Sequence, residues 1–289
     1  MRQLLISFWV MLMAVSCDAV IAQNILYAST YNALNVHLYD NEFCQMDFHE
    51  NMEALVSMAE ENGTDFGSVA ACYAADTKSG VAFDDSRYNK IREYLTKYQY
   101  EDFYYAAKAY NAIYDGMVFF PVAEDSAGQY EFYFENSYMA DRSYGGERKH
   151  EGCDIMPSEN ISGKFPVISV CDGTVEKTGW LELGGYRLGI RSDEGVYFYY
   201  AHLQSYADEF SEGDRVRAGD VIGLMGDTGY GEEGTSGQFD VHLHFGIYVN
   251  DAKGNEISVN PYAYLKYVRD NVRRYNFGNS VMEGNPYAL

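Results

Sequence analysis

The stretch Asp240-Val241-His242-Leu243-His244-Phe245-Gly246 alternates apolar and imidazole side chains. In a β-strand successive side chains point to opposite faces, so His242 and His244 project together while Val241, Leu243 and Phe245 project the other way. A strand with one apolar face needs a packed sheet, and the sequence around it repeats the texture. Short β-rich runs fall at 129–133, 167–170, 173–175, 186–191, 197–202, 221–225 and 241–249. Turn signals separate them: Asp172-Gly173, Gly184-Gly185, Glu212-Gly213-Asp214 and Ala218-Gly219-Asp220. Runs of this length and spacing predict an antiparallel all-β domain.

Before residue 117 the period is different. Met52, Leu55, Val56 and Ala59 recur at helical spacing until Asn62-Gly63. Further helices are expected over 66–75, from after Asp84-Asp85 through Ile91 and Leu95 to Tyr98, and over 101–114 ahead of Asp115-Gly116. A last helix is expected over 262–274, after Pro261. The organisation read from the chain is a leader over 1–22, a small α-helical region over 23–116, the β domain over 117–267, and a helix end with a tail over 268–289.

The leader reading rests on Met1-Arg2-Gln3, an apolar run from Leu4 to Val15, and Ser16-Cys17-Asp18. The run is short against the ~20 residues of a spanning helix. Val20-Ile21-Ala22 offers a cleavage site before Gln23; a lipoprotein cysteine at Cys17 and an uncleaved anchor are the alternatives. All three put the rest of the chain outside the cytoplasm, with any membrane tether at the N-terminus only. Four cysteines then remain, and an even number in an exported chain suggests pairing within each region, Cys44 with Cys72 and Cys153 with Cys171, against free buried thiols.

Charge narrows the function. The 289 residues hold 21 Lys+Arg against 43 Asp+Glu, a net charge of −22. No nucleic-acid partner is expected, since such a partner needs a basic face. Docking on anionic membranes is disfavoured for the same reason. At 47% hydrophobic the chain can bury a core. Its 28 tyrosines suit core and rim, and Tyr144, Tyr200 and Tyr230 are candidates for lining a groove.

Four of the six histidines lie in the β-rich half. Besides His242 and His244 they are His202, in Tyr199-Tyr200-Ala201-His202-Leu203, and His150, in Arg148-Lys149-His150-Glu151-Gly152-Cys153-Asp154. If the second segment is extended, His150, Gly152 and Asp154 share a face, Gly152 leaves a gap between them, and Cys153 faces away. Two imidazoles and a carboxylate with one open position make a catalytic zinc set, whereas a closed structural site uses four ligands, often thiolates. The other reading of paired imidazoles is a satisfied polar patch; three compact contexts favour the metal. His37 and His49 have no such context and read as structural. No His-Glu-x-x-His occurs, so the helical zincin site is absent. Gly226-Asp227-Thr228-Gly229 lacks a following Lys-Ser/Thr, which sets nucleotide binding aside.

At these residues the chain resembles the lysostaphin/LytM-type zinc metalloendopeptidases, which cut peptide bonds in bacterial peptidoglycan. The resemblance is carried by His150-Glu151-Gly152-Cys153-Asp154, by His202, and by His242-Leu243-His244, in that order. Cys171-Asp172-Gly173-Thr174-Val175, the hairpin from Gly213 to Gly223, the glycine-rich Gly226-Asp227-Thr228-Gly229 and Asn260-Pro261-Tyr262 match as well. It covers about Phe120 to Tyr267. The resemblance implies a lysostaphin-like, duplicated-hybrid-motif sheet and one zinc per chain on His150, Asp154 and His244. It implies His202 and His242 as the unliganded catalytic pair, and a peptidoglycan peptide as substrate at the cell surface or wall. The alternative is a non-catalytic wall scaffold or activator on the same fold; relatives of that kind typically lose ligands, and here all are present. The loop over 223–237 is expected to wall the groove.

Overall fold

The structure, a computed structural model, describes residues 9, 11, 13–22, 34, 37, 41–77, 79–144, 146–251 and 253–277. The expected tail beyond 277 and much of the expected leader lie outside the described residues. Within the leader, 13–22 is helical and exposed. No helix among the described residues is long and apolar enough to cross a membrane.

The helical region holds α1 (Asn41–Gln45), α2 (Met52–Asn62), α3 (Phe66–Asp76), α4 (Asp85–Tyr98) and α5 (Tyr100–Gly116). α3 is apolar nearly all round and sits at the centre, with Phe66, Val69, Ala70, Ala71 and Cys72 buried. The Asp65 and Asp84 side chains cap α3 and α4 by accepting from the Ser68 and Arg87 amides. One buried ion pair closes the region: Arg87 grips both oxygens of Asp76, at 2.8 and 2.5 Å.

Fourteen strands are described, beginning with β1 (Glu124–Asp125), β2 (Phe132–Phe134), β3 (Asp141–Arg142), β4 (Arg148–Lys149) and β5 (Cys153–Pro157). They continue with β6 (Pro166–Ile168), β7 (Gly173–Leu181), β8 (Gly185–Ser192), β9 (Tyr197–Tyr206), β10 (Arg215–Val216) and β11 (Val221–Met225). Last come β12 (Leu243–Asn250), β13 (Glu256–Val259) and, after α6 (Tyr262–Tyr267), β14 (Arg274–Tyr275). The main sheet runs β10-β7-β8-β9-β12-β5-β2, with β13 also on β12 and β11 joining β9 to β6. All its pairings are antiparallel. The antiparallel β domain behind a small helical region is therefore the fold observed. β12 is central: Leu243, Phe245 and Ile247 are fully buried on its inner face, with the Phe245 ring stacked 6.1 Å from Phe198.

The two regions share one apolar core. Tyr264 of α6 joins them: its hydroxyl donates to the Tyr110 carbonyl at 2.9 Å, and its ring meets Phe48 and Phe66 edge-on. The Asn260 amide donates to the Cys44 carbonyl at 2.8 Å.

Two expectations are corrected. The last helix stops at Tyr267 rather than reaching Arg274, because Asn271 closes a turn onto Val268 and its side chain donates to the Val118 carbonyl. The chain then runs extended, and β14 lies parallel to β1. Nor do disulfides form. Cys153 turns behind β5, where its thiol donates to the Glu135 carbonyl, and Cys171 lies between β6 and β7, which are not neighbours of β5. Burial pushes both thiols up to about 12.

Candidate active site

Sheet register assembles the site. His244 on β12 stands directly across from Asp154 of β5 on one side and Ala201 of β9 on the other. His150 precedes Asp154 by one short loop, His202 follows Ala201, and His242 forms a bridge with Gly226. All line one cleft of about 390 Å³. No residue of the helical region lines it.

The chemistry begins with hydrogen-bond bookkeeping. His150 Nδ1 lies 2.9 Å from the Ser137 carbonyl. A carbonyl only accepts, so Nδ1 carries the proton and neutral His150 aims a bare Nε2 into the cleft. That nitrogen faces Asp154 Oδ1 at 3.0 Å and His244 Nδ1 at 2.8 Å, and His244 Nδ1 lies 3.1 Å from the same oxygen. At neutral charge His244 can offer one proton to one of these partners, which leaves acceptors facing each other. A cation among them resolves the conflict. The three ligand atoms lie within 4.8 Å of one another. Separations of 2.8–3.1 Å come close to the ~3.3 Å between ligands of a tetrahedral ion with ~2.0 Å bonds. Two imidazoles, one carboxylate and no thiolate fit zinc with an open position.

The surroundings support the same reading. The Ser137 carbonyl fixes the His150 tautomer. Arg142 Nη2 donates to Asp154 Oδ2 at 2.5 Å, leaving Oδ1 for the cluster. Burial alone would raise the Asp154 carboxyl, but its contacts with His150 and His244 outweigh that and hold it well below the usual range. Burial lowers His244, with Asp154 opposing. Gly152 is where the gap was expected: a Cβ there would lie 2.7 Å from His244 Cε1 and 2.6 Å from the Phe245 carbonyl.

His202 and His242 stand beside the cluster, ring centroids 4.7 Å apart. His202 Nδ1 donates to the Thr228 carbonyl at 2.7 Å and His242 Nδ1 to the Asp240 carbonyl at 2.8 Å, so both have bare Nε2 atoms when neutral. Burial, then the neighbouring His242 and His244, push His202 well below its ordinary value. Its φ of +62° is a left-handed conformation that non-glycine residues rarely adopt. This interrupts strand alternation, which is why Tyr199 and His202 both line the cleft. Gly229, at φ +124°, leaves room for that turn; a Cβ there would meet the Leu183 carbonyl at 2.7 Å and His202 Nδ1 at 3.3 Å.

Of the groove tyrosines expected, Tyr230 lines the cleft and Tyr144 stacks on it at 4.1 Å. Tyr200 is a correction: it is fully buried, its hydroxyl accepting from the Val170 amide at 3.0 Å. The 223–237 loop supplies Tyr230 to the wall, as expected. His37 and His49 stay outside, paired with Asp102 and with Asp47 and Glu50. Sequence reasoning missed Arg142, Arg148, Tyr199 and Phe239. For Arg148 a signal existed, since it shares the odd-even parity of His150, Gly152 and Asp154.

This layout is an antiparallel sheet carrying a candidate metal site in an open cleft, and comparison with known proteins gives its family. Residues 148–261 match the model of peptidase family M23. The chain is 40% identical over 136 residues to the L-Ala–D-Glu endopeptidase of Bacillus subtilis (strain 168), which covers 47% of this chain and 40% of that protein. It is 34% identical over 119 residues to lysostaphin of Staphylococcus simulans, covering 40% of this chain and 21% of that one. The matches thus span less than half the length of these curated relatives. A solved LytM chain from Ruminococcus gnavus, assigned as a glycyl-glycine endopeptidase, superposes with a TM-score of 0.69 at 37% identity, over 83% of this chain and 95% of that one. An overlap of that extent is longer than the β domain and takes in helical residues too. The chain belongs to peptidase family M23.

Proposed function

We propose that this chain is an exported zinc endopeptidase that hydrolyses peptide bonds of bacterial peptidoglycan. The observation that carries the reading is the convergence of His150 Nε2, Asp154 Oδ1 and His244 Nδ1 beside two further imidazoles with bare Nε2 atoms. The family membership and the names of the relatives support the substrate class. The apolar N-terminal run supports export.

His150, Asp154 and His244 would hold the zinc, which when bound supplies Lewis acidity at the scissile carbonyl and acidifies a water. The remaining work falls to the chain. Burial keeps His202 neutral, so its Nε2 can take a proton from the attacking water and return it to the leaving amine. His242, with its ring held by the Asp240 carbonyl, faces the same space and, in its protonated form, can donate from Nε2 to the oxygen on which charge develops. The Phe239 ring, 4.7 Å from His202 and 5.1 Å from His242, restricts water around the pair.

The test is digestion of purified peptidoglycan, with mass spectrometry of the released fragments. It is run with zinc, with chelator, and with His244→Ala. Zinc-dependent new amine ends are expected. Stoichiometric zinc without release from any of several wall chemotypes would overturn the reading in favour of a scaffold.

A further inference from the structure

Three cations stand at one mouth of the cleft: Arg142, Arg148 and Lys149. In a chain of net charge −22 this clustering is unusual. Two of the three are neutralised, Arg142 by Asp154 at 2.5 Å and Lys149 by Asp141 at 2.5 Å. Arg148 is not. Among the described residues it makes no ion pair; its Nε donates to the Tyr144 carbonyl at 3.3 Å and its Nη2 to the Tyr230 hydroxyl at 3.2 Å.

Those two neutral contacts make a rigid mount. The Tyr144 and Tyr230 rings stack at 4.1 Å, within 6° of parallel, and the Tyr144 hydroxyl donates to the Tyr230 carbonyl. Tyr230 is itself held in a left-handed conformation, φ +59°, and its ring meets His202 edge-on and Phe239 at 4.7 Å. Arg148 is therefore fixed one tyrosine away from the catalytic pair. Its charge is uncompensated, and most of its five N–H donors are unspent. Glu151, the other unclaimed charge on the cleft wall, is turned towards the Tyr248 hydroxyl and makes no ion pair with Arg148.

A guanidinium held in place by neutral acceptors, with its fork free, matches a carboxylate. We propose that Arg148 is a specificity-determining residue that binds a free carboxylate on the substrate peptide, next to the bond that is cut. The preferred substrate is then an anionic peptide rather than an uncharged glycine chain. This rests on the endopeptidase reading and narrows it.

The experiment compares two synthetic wall stem peptides. In one the glutamyl residue keeps its free α-carboxylate; in the other that group is an amide. The full chain with zinc is expected to favour the carboxylate peptide in kcat/KM by about tenfold or more, mainly through KM, as a charge-assisted bond implies. In Arg148→Gln the ratio falls towards one. In Arg148→Glu it inverts, and in Arg148→Lys part of it returns. Each ratio is taken within one protein, so a general loss of folding cancels. Equal cleavage of both peptides by the unaltered chain, or a ratio that Arg148→Gln leaves in place, overturns the proposal. Equilibrium binding of the same two peptides separates it from the parent reading. A chain that cuts neither peptide yet binds the carboxylate form more tightly, through Arg148, retains this inference and ends the endopeptidase one.

Discussion

Asp76 and Asp154 are both carboxylates withdrawn from water, one in the helical region and one in the cleft, and their settings differ in one respect. Asp76 is closed: Arg87 occupies both of its oxygens, and nothing about the pair invites a third party. Asp154 is half closed: Arg142 takes Oδ2, while Oδ1 faces the acceptor nitrogen of His150 and shares His244 with it. A protein that buries charge for architecture satisfies it internally. A protein that buries charge for chemistry leaves a gap that only a ligand completes.

The largest effect expected from that contrast is on the open cluster. His244→Ala removes one of three ligands, and turnover of wall peptides should fall by about 10³-fold or more, the scale of losing zinc's Lewis acidity. Chelator should do the same to the unaltered chain, reversibly. Metal content measured by mass spectrometry of the native protein should drop from one zinc per chain in both cases. Full turnover without metal would erase the distinction drawn between the two carboxylates.

The closed pair should respond in stability instead. Asp76→Asn strands a buried guanidinium at a cost of about 3 kcal/mol. Thermal unfolding should move down by several degrees, with zinc affinity and kcat kept at temperatures where the variant is folded. A loss of kcat in the folded variant would mean the helical region is coupled to the cleft, which its absence from the cleft lining argues against. Gly152→Ala is expected to be milder and to act on the other side of the comparison. Its methyl must displace the His244 ring, for which a Cβ would lie 2.7 Å from Cε1. Zinc affinity, read by competition with a chromophoric chelator, should weaken about 10–100-fold, the usual cost of disturbing the groups that orient a ligand.

How far the sequence carries depends on whether local periodicity survives into the structure. It does along β12, so the shared face of His242 and His244 was legible, as was the gap at Gly152. The helices α2 to α5 were legible for the same reason, with the cap at Asp84 adding to the pattern, while the cap at Asp65 was not read from the sequence. It does not survive at His202, where φ of +62° breaks alternation. Nothing in Tyr199-Tyr200-Ala201-His202 announces a left-handed residue, so Tyr200 was read as a groove candidate and Tyr199 was missed. Arg142 lay outside reach for another reason. It meets Asp154 through the β3–β4 hairpin, a contact set by tertiary approach. The end of α6 was missed because β14 pairs with β1, a partner about 150 residues earlier in the chain.

The smallest effect concerns the back of the strand that holds Asp154. Read as an exported chain, the sequence with its four remaining cysteines suggests that Cys153 and Cys171 brace β5 by a disulfide, whereas the structure has Cys153 fully buried and hydrogen-bonded to the Glu135 carbonyl. A thiol in that setting contributes one weak hydrogen bond and some packing, so Cys153→Ala should cost about 1 kcal/mol. Reductant should change neither the melting temperature nor the turnover of the unaltered chain. Alkylation under native conditions should spare both thiols, since burial pushes each up to about 12 and blocks access. After denaturation without reductant, intact mass should show both alkylated. A mass that stays unmodified until reductant is added would restore the brace. The rigidity of the Asp154 strand would then come from a covalent bond rather than from the register that places His244 across from it.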